Sequence, residues 1–218
     1  MLYDKYTKIL EEIISPNQSD IEKEIAIHDY LVDNINYVDT GDSSYNAYSA
    51  LINGIAVCSG YTECFKTLLD MLGIENATIS GEAGGQQHIW NVVNLDNHWY
   101  HVDVTWDDPV GSSSDYIDHS YFNISADDMA LDHTWDRSRY SAYEKCGAKY
   151  SYCRYKKLPL ISNVNQLNKL IYSTVKNKTA HIEFTTTYNA DLKEAISRTG
   201  QQLSYSYKNI DRVNYTLY

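Results

Sequence analysis

Apolar residues recur at helical spacing through the first third of the chain. Residues 3 to 14 read as a short helix that stops at Ser15-Pro16-Asn17, because proline cannot continue the hydrogen-bond ladder. Ser19 with Glu22 three positions on has the pattern of a capping box. Ile21, Ile25, His28, Leu31, Val32 and Ile35 then share one stripe. His28 on that stripe reads as a core-edge histidine. A polar loop over 39–46 leads to AVCSGYTECFKTLLDMLG (56–73). There Tyr61, Phe65, Leu68, Leu69 and Leu72 face one way and Gly73 supplies the stop.

Past Gly73 the period shortens to two. Residues 77–80, HIWNVVNL (88–95) and HWYHVDVTW (98–106) read as strands, with GEAGGQQ (81–87) as a flexible loop and Asp96-Asn97 as a two-residue hairpin turn. A further strand is expected at 121–125, ending in a capped short helix at SADDMA. After Leu158-Pro159 the texture changes to a helix (163–176), a strand (180–187), a helix (189–199) ended by Gly200, and two strands up to Tyr218. The expected division is a core domain over 1–157 and a small α/β appendage of unknown role over 158–218.

The hairpin makes a geometric prediction. With Leu95 opposite His98, Trp90 falls opposite Asp103 and His88 opposite Thr105, all four on one face. His88 and Asp103 become diagonal neighbours, about 7 Å apart at the backbone and within side-chain reach. A carboxylate there sets the imidazole tautomer and stabilises its cation. A satisfied Asp–His pair in a sheet would look the same. His98 points to the opposite face, so His98 and His101 do not form a zinc pair.

Composition mostly excludes. With 218 residues, 43% hydrophobic and 22% charged, the chain is an ordinary globular sequence able to bury a core. A net charge of −11 and the lack of a Lys/Arg-rich stretch argue against nucleic acid or anionic lipid as partner. No apolar run is long enough to span a membrane, so membrane insertion is not expected. The glycines of 81–87 lack the strand-to-helix setting of a phosphate loop. Four cysteines without a CxxC pair suggest neither a disulfide scaffold nor a zinc site, and no metal or cofactor is expected. The start MLYDKYTKIL is not a signal peptide. The compartment stays open: cytoplasm if Met1 is the native start, cell surface or exterior if an export signal has been removed. Oligomeric state is not legible.

Cys58 is the residue that composition leaves unexplained. It stands at the start of an amphipathic helix, where the backbone dipole favours an anion and eases thiolate formation. Cys64, six positions on, reads as buried. Asp107-Asp108 before Pro109 read as a turn ending the strand.

A cysteine at a helix start, then a histidine and an aspartate on successive strands, is the chain order of the transglutaminase-like superfamily. The sequence resembles bacterial members in YSALINGIAVCSGYTECFKTLLDMLGI (48–74), HIWNVVNLDNHWYHVDVTWDDP (88–109) and, more loosely, YFNISADDMALDH (121–133). The resemblance implies an α+β, papain-like core with helices packed on an antiparallel sheet. It implies Cys58 as nucleophile, His88 as acid/base and Asp103 as orienting acid. Ile89 departs from the alanine common at that position. The family's oxyanion side chain varies; Tyr48 is a candidate here, and Trp90 a candidate wall of the cleft. His133 matches a recurrent histidine and reads as structural. The implied activity is that of a cysteine-dependent amide hydrolase or acyl transferase with a protein or peptide substrate. The alternative is a non-catalytic peptide- or glycan-binding module of the cell envelope that retains the fold.

Overall fold

A computed structural model describes residues 2–41, 44–108, 117–177, 182–186, 205–208 and 213–217. Helix α1 (Leu2–Ile13) precedes the capping pattern, which forms as the sequence requires: Glu22 Oε2 accepts from the Ser19 N–H at 2.7 Å and from its hydroxyl at 2.6 Å. Helix α2 (Asp20–Asn34) starts there and buries Ile21, Ile25, Ile27, Leu31 and Val32. Two short parallel strands, β1 (Asn36–Tyr37) and β2 (Ile55–Ala56), flank a π-turn at Ser49–Asn53. Helix α3 (Cys58–Met71) buries Tyr61, Phe65, Leu68 and Leu69 completely. It closes with Gly73 N–H to the Asp70 carbonyl and Ile74 N–H to the Leu69 carbonyl, both 3.0 Å.

The sheet of the first unit is antiparallel throughout, in the order β5-β4-β3-β6, from β3 (Asn76–Ala83), β4 (Gln86–Leu95), β5 (His98–Val102) and β6 (His133–Thr134). Asp96 and Asn97 take φ of 53° and 59°, and Leu95 pairs with His98, so the two-residue turn sets the expected register. GEAGGQQ is not a flexible loop. Ala83 pairs with Gln86, and Gly84-Gly85 form a tight turn with φ of 58° and 78°, a backbone that side chains disfavour. The expected strand at 121–125 reduces to one bridge, Ile124 to His101. It leads into α4 (Ala126–Met129), capped by Ser125 Oγ, which accepts from the Asp128 N–H at 3.0 Å. One face of the sheet carries Ile79, Trp90 and Val92 into a core with Tyr121, Ile124 and Met129, and α3 packs on β4 and β3.

The chain divides into compact units at 1–152 and 153–218. The short α5 (Tyr152–Tyr155) spans the junction. In the second unit β7 (Leu160–Ile161), α6 (Val164–Asn177) and β8 (Ile182–Thr186) form a parallel crossover. β9 (Tyr205–Lys208) and β10 (Val213–Leu217) extend it to a sheet ordered β7-β8-β10-β9. Ile161, Leu167, Ile171 and Phe184 are its buried residues among those described. The helix expected at 189–199 lies outside the described residues. The first unit is thus an α+β core of helices on an antiparallel sheet.

Candidate active site

Cys58 is the first residue of α3. Val57 before it is extended and has no side-chain oxygen, so the first turn of α3 has no side-chain cap. The helix start lies tight against β2: a Cβ on Gly60 would sit 2.7 Å from Ala56 Cβ and 3.3 Å from the Asn46 carbonyl. Val57 N–H donates to the Ser44 carbonyl and Ser59 Oγ to the Tyr45 carbonyl, each at 3.0 Å, which fixes the 44–46 segment beside it. One turn along, Thr62 Oγ1 donates to the Ile89 carbonyl at 3.0 Å, and Asn91 Nδ2 donates to the Thr62 carbonyl at 3.2 Å. These bonds bring the mouth of the helix to the segment of β4 that carries His88.

His88 Nε2 lies 2.6 Å from Asp103 Oδ2, and the half-buried Cys58 thiol is close enough to act on the same ring electrostatically. Asp103 also explains why β5 stops at Val102 rather than running to 106. Its Oδ1 accepts from the N–H groups of Thr105 (3.1 Å) and Trp106 (3.2 Å), folding the chain into a turn. Thr105 therefore does not stand opposite His88. One carboxylate oxygen builds the turn while the other faces the imidazole.

Burial opposes a charge on His88, but the hydrogen bond with Asp103 and the influence of Cys58 outweigh it and push the imidazolium up to about 10. Burial likewise works against Asp103 ionising. Hydrogen bonds from His133 and His88 reverse this and hold it at about 2. Cys64 is fully buried, which pushes its thiol up to about 12. All four cysteines are free thiols.

Cys58, His88 and Asp103 come together; the other two candidates do not join them directly. Tyr48 is 45% exposed at the N-cap of the π-turn and makes no hydrogen bond or ring contact with the three. Trp90 is fully buried, so it backs the site rather than walling an open cleft. Its ring stacks at 6.0 Å and 19° on His88, and its Nε1–H donates to His101 Nδ1 at 3.0 Å. Burial drives His101 down to about 3, leaving it neutral.

Three further residues stand around these groups: His133, which the sequence reads as structural, Asp108, which it reads as part of a turn, and Tyr37, which it does not single out. His133 Nε2 is 3.0 Å from the same Asp103 oxygen. Tyr37, 37% exposed, carries a phenol raised by burial and by the charges of Cys58 and Asp103. Asp108 accepts a hydrogen bond from Tyr61 OH. A second assembly joins His28 Nε2 to Asp107 Oδ2 (3.1 Å), His28 Nδ1 to Asp29 Oδ1 (3.0 Å) and His119 Nε2 to Asp29 Oδ1 (2.7 Å). Only the oddness of buried polar residues on an apolar stripe, His28 above all, signals it.

Both assemblies gather three metal-capable side chains whose ligand atoms lie within 4.8 Å of one another: His88, Asp103 and His133, and His28, Asp29 and His119. Their bonded N···O separations, 2.6 to 3.1 Å, are hydrogen-bond lengths. Ligands around a tetrahedral metal with bonds of 2.0–2.1 Å would stand about 3.3 Å apart. The arrangement fits shared protons.

Residues 7–104 match the profile of the Transglutaminase-like superfamily. No curated protein sequence matches the chain. Among solved structures the chain is similar to a TGase (20% identity, TM-score 0.45, covering 52% of this chain and 34% of that one). It is similar to a suspected cysteine protease from Cytophaga hutchinsonii (17%, TM-score 0.42, covering 48% and 37%). A third likeness is to an arylamine N-acetyltransferase from Bacillus cereus with a Cys-His-Glu catalytic triad (13%, TM-score 0.34, covering 50% of each chain). The matches span about a third of the length of the first two. The profile match spans the stretch that carries Cys58, His88 and Asp103.

Proposed function

We propose that the first unit is a cysteine-dependent amide hydrolase or acyl transferase acting on peptide or glutamine amides through a thioester. The observation that carries this reading is the His88 imidazole bonded to the Asp103 carboxylate at 2.6 Å, with the Cys58 thiol near enough to raise its titration. His88 already holds the proton given up by Cys58, and the thiolate Sγ attacks the amide carbonyl carbon, forming the C–S bond. The backbone N–H of Cys58, at the start of α3, helps bind the developing oxyanion. The C–N bond then breaks as His88 returns the proton to the leaving amine, leaving a thioester. Water or an incoming amine next gives its proton to His88 and attacks the thioester carbon. Thiolate leaves, and the acid or new amide is released. Asp103 keeps His88 in the tautomer and orientation both steps need.

Iodoacetamide labelling with mass spectrometry across pH tests the thiol–imidazole pair. Cys58 should be alkylated rapidly below pH 7, far faster than Cys64, and His88→Ala should abolish that rapid reaction. Reaction of Cys58 no faster than Cys64 overturns the enzyme reading. Screening glutamine peptides for ammonia release, with and without an added primary amine, then separates hydrolysis from transfer.

A further inference from the structure

Asp103 has two imidazole partners on one oxygen, and the mechanism above uses only one. His133 Nε2 stands 3.0 Å from Asp103 Oδ2, and His133 Nδ1 stands 2.7 Å from Asp132 Oδ1. Asp132 Oδ2 in turn accepts from Tyr121 OH at 2.7 Å. Ionised carboxylate oxygens only accept, so a ring that satisfies both must carry an N–H at each nitrogen. That ring is imidazolium. It is fully buried, with the rings of Trp106 (4.6 Å), Trp90 (5.1 Å) and Tyr121 (5.5 Å) around it.

The sheet is built to let the two histidines meet. β3 lies between them, with Gly81 opposite His88 and Ala83 opposite His133, both on the face that carries the histidines. Strand β3 therefore interposes no more than a hydrogen and a methyl group, and the His88 and His133 rings approach to 5.5 Å. A Cβ on Gly81 would fall 2.1 Å from the Thr134 carbonyl, so glycine is also what admits β6 at this distance.

We propose that His133 is a positioning residue acting on His88 through Asp103: a fixed cation that shares the carboxylate, limits how tightly it holds the His88 proton, and so keeps that proton transferable. The proposal rests on the thiol–imidazole reading of the site. Asp103 does not need His133 to stay in place, because the Thr105 and Trp106 N–H groups already hold its other oxygen. What His133 adds is charge. The groups facing His88 are Cys58, Asp103 and His133, with the Tyr37 phenol near the first two; those facing His133 are Asp103, Asp132, His88 and the neutral His101. Removing the His133 charge leaves the whole of Asp103 to His88 and ends the repulsion between the two rings. Both effects raise the His88 titration.

The test is histidine NMR on the full chain in a Cys58→Ala background, where no thiol titration overlaps, with His88 assigned by its loss in His88→Ala. His133→Phe should move the His88 midpoint up by about one pH unit, a tenfold tighter proton. His133→Gln, which retains a donor but no charge, should shift it the same way. A midpoint that stays or falls in a variant whose circular dichroism is native overturns the proposal, since a purely structural role would change melting alone. In the unmutated chain, nitrogen shifts at pH 7 should show both His133 ring nitrogens protonated; a neutral ring overturns the proposal whether or not the variants fold. Failure of the underlying reading looks different: Cys58 would alkylate no faster than Cys64 whatever His88 does.

Discussion

The first unit holds two carboxylate–imidazole assemblies made of the same parts. One is His88–Asp103–His133, the other His28 between Asp107 and Asp29 with His119 beyond. In both, hydrogen bonds to carboxylate outweigh burial and raise a histidine, His88 to about 10 and His28 to about 9. They differ in what stands at the open end. His28 is capped by rings: His119 stacks on it at 4.9 Å, Phe122 meets its edge at 5.0 Å, and Tyr152 covers His119 at 3.8 Å. His88 ends on a half-buried thiol at the start of a helix. A buried Asp–His pair is therefore a structural unit first. It becomes a candidate for chemistry only where a nucleophile stands beside the ring.

The contrast breaks or stands on four measurements. Cys58→Ala should lower turnover of any amide substrate by on the order of 10⁵-fold or more with melting nearly unchanged, because no other described thiol contributes to raising a histidine. Asp103→Asn should cost about 10³- to 10⁴-fold. Asn retains the oxygen that the Thr105 and Trp106 N–H groups need but turns an amide toward His88 and His133, so a folded, slow enzyme is the expected result. Asp107→Ala should do the reverse. It removes one of the two carboxylates that hold the buried His28 charge, costing about 3–5 kcal/mol by urea titration. The alkylation rate of Cys58 per folded molecule should not change, and a parallel loss of reactivity would merge the two assemblies into one.

The mildest test is pH. His28 and His88 have folded values above the 6.5 of the free side chain, so the folded chain holds protons that the unfolded chain releases. Their stabilisation is complete below about 6.5 and is lost as pH rises through about 9 and then about 10. The melting temperature should fall between pH 7 and 9, and Asp107→Ala should flatten that slope more than Asp103→Asn does.

Local signals made much of this site legible. Helical spacing from Tyr61 to Leu72 and the lone cysteine before it gave α3 and its mouth, and a two-residue turn at Asp96-Asn97 placed His88 and Asp103 on one face. What sequence did not show is non-local. His133 reaches Asp103 through a two-residue strand paired with β3, fifty positions away from its partner Ala83. Asp107 looked like a turn residue, and turns near 103–107 do form, but its carboxylate is committed to His28 and to the Tyr121 N–H at 2.8 Å. Alternation carried the strand of His98 too far because period-two patterning cannot register Asp103 bonding its own downstream backbone. Trp90 has the face expected of it, yet its depth depends on Tyr121, Met129 and Trp135, which come from a segment that the hairpin pattern does not describe.

The pairing of a half-buried and a sealed sulfur on one helix has a practical consequence. Cys64 lies beneath Tyr6, whose hydroxyl approaches its sulfur at 3.9 Å, and has no access to reagent while α1 rests on α3. Any alkylation it shows must follow a breathing motion of that packing, so its slow rate gauges the local opening equilibrium. Each labelling run on Cys58 thus carries its own stability standard, six positions further along the same polypeptide.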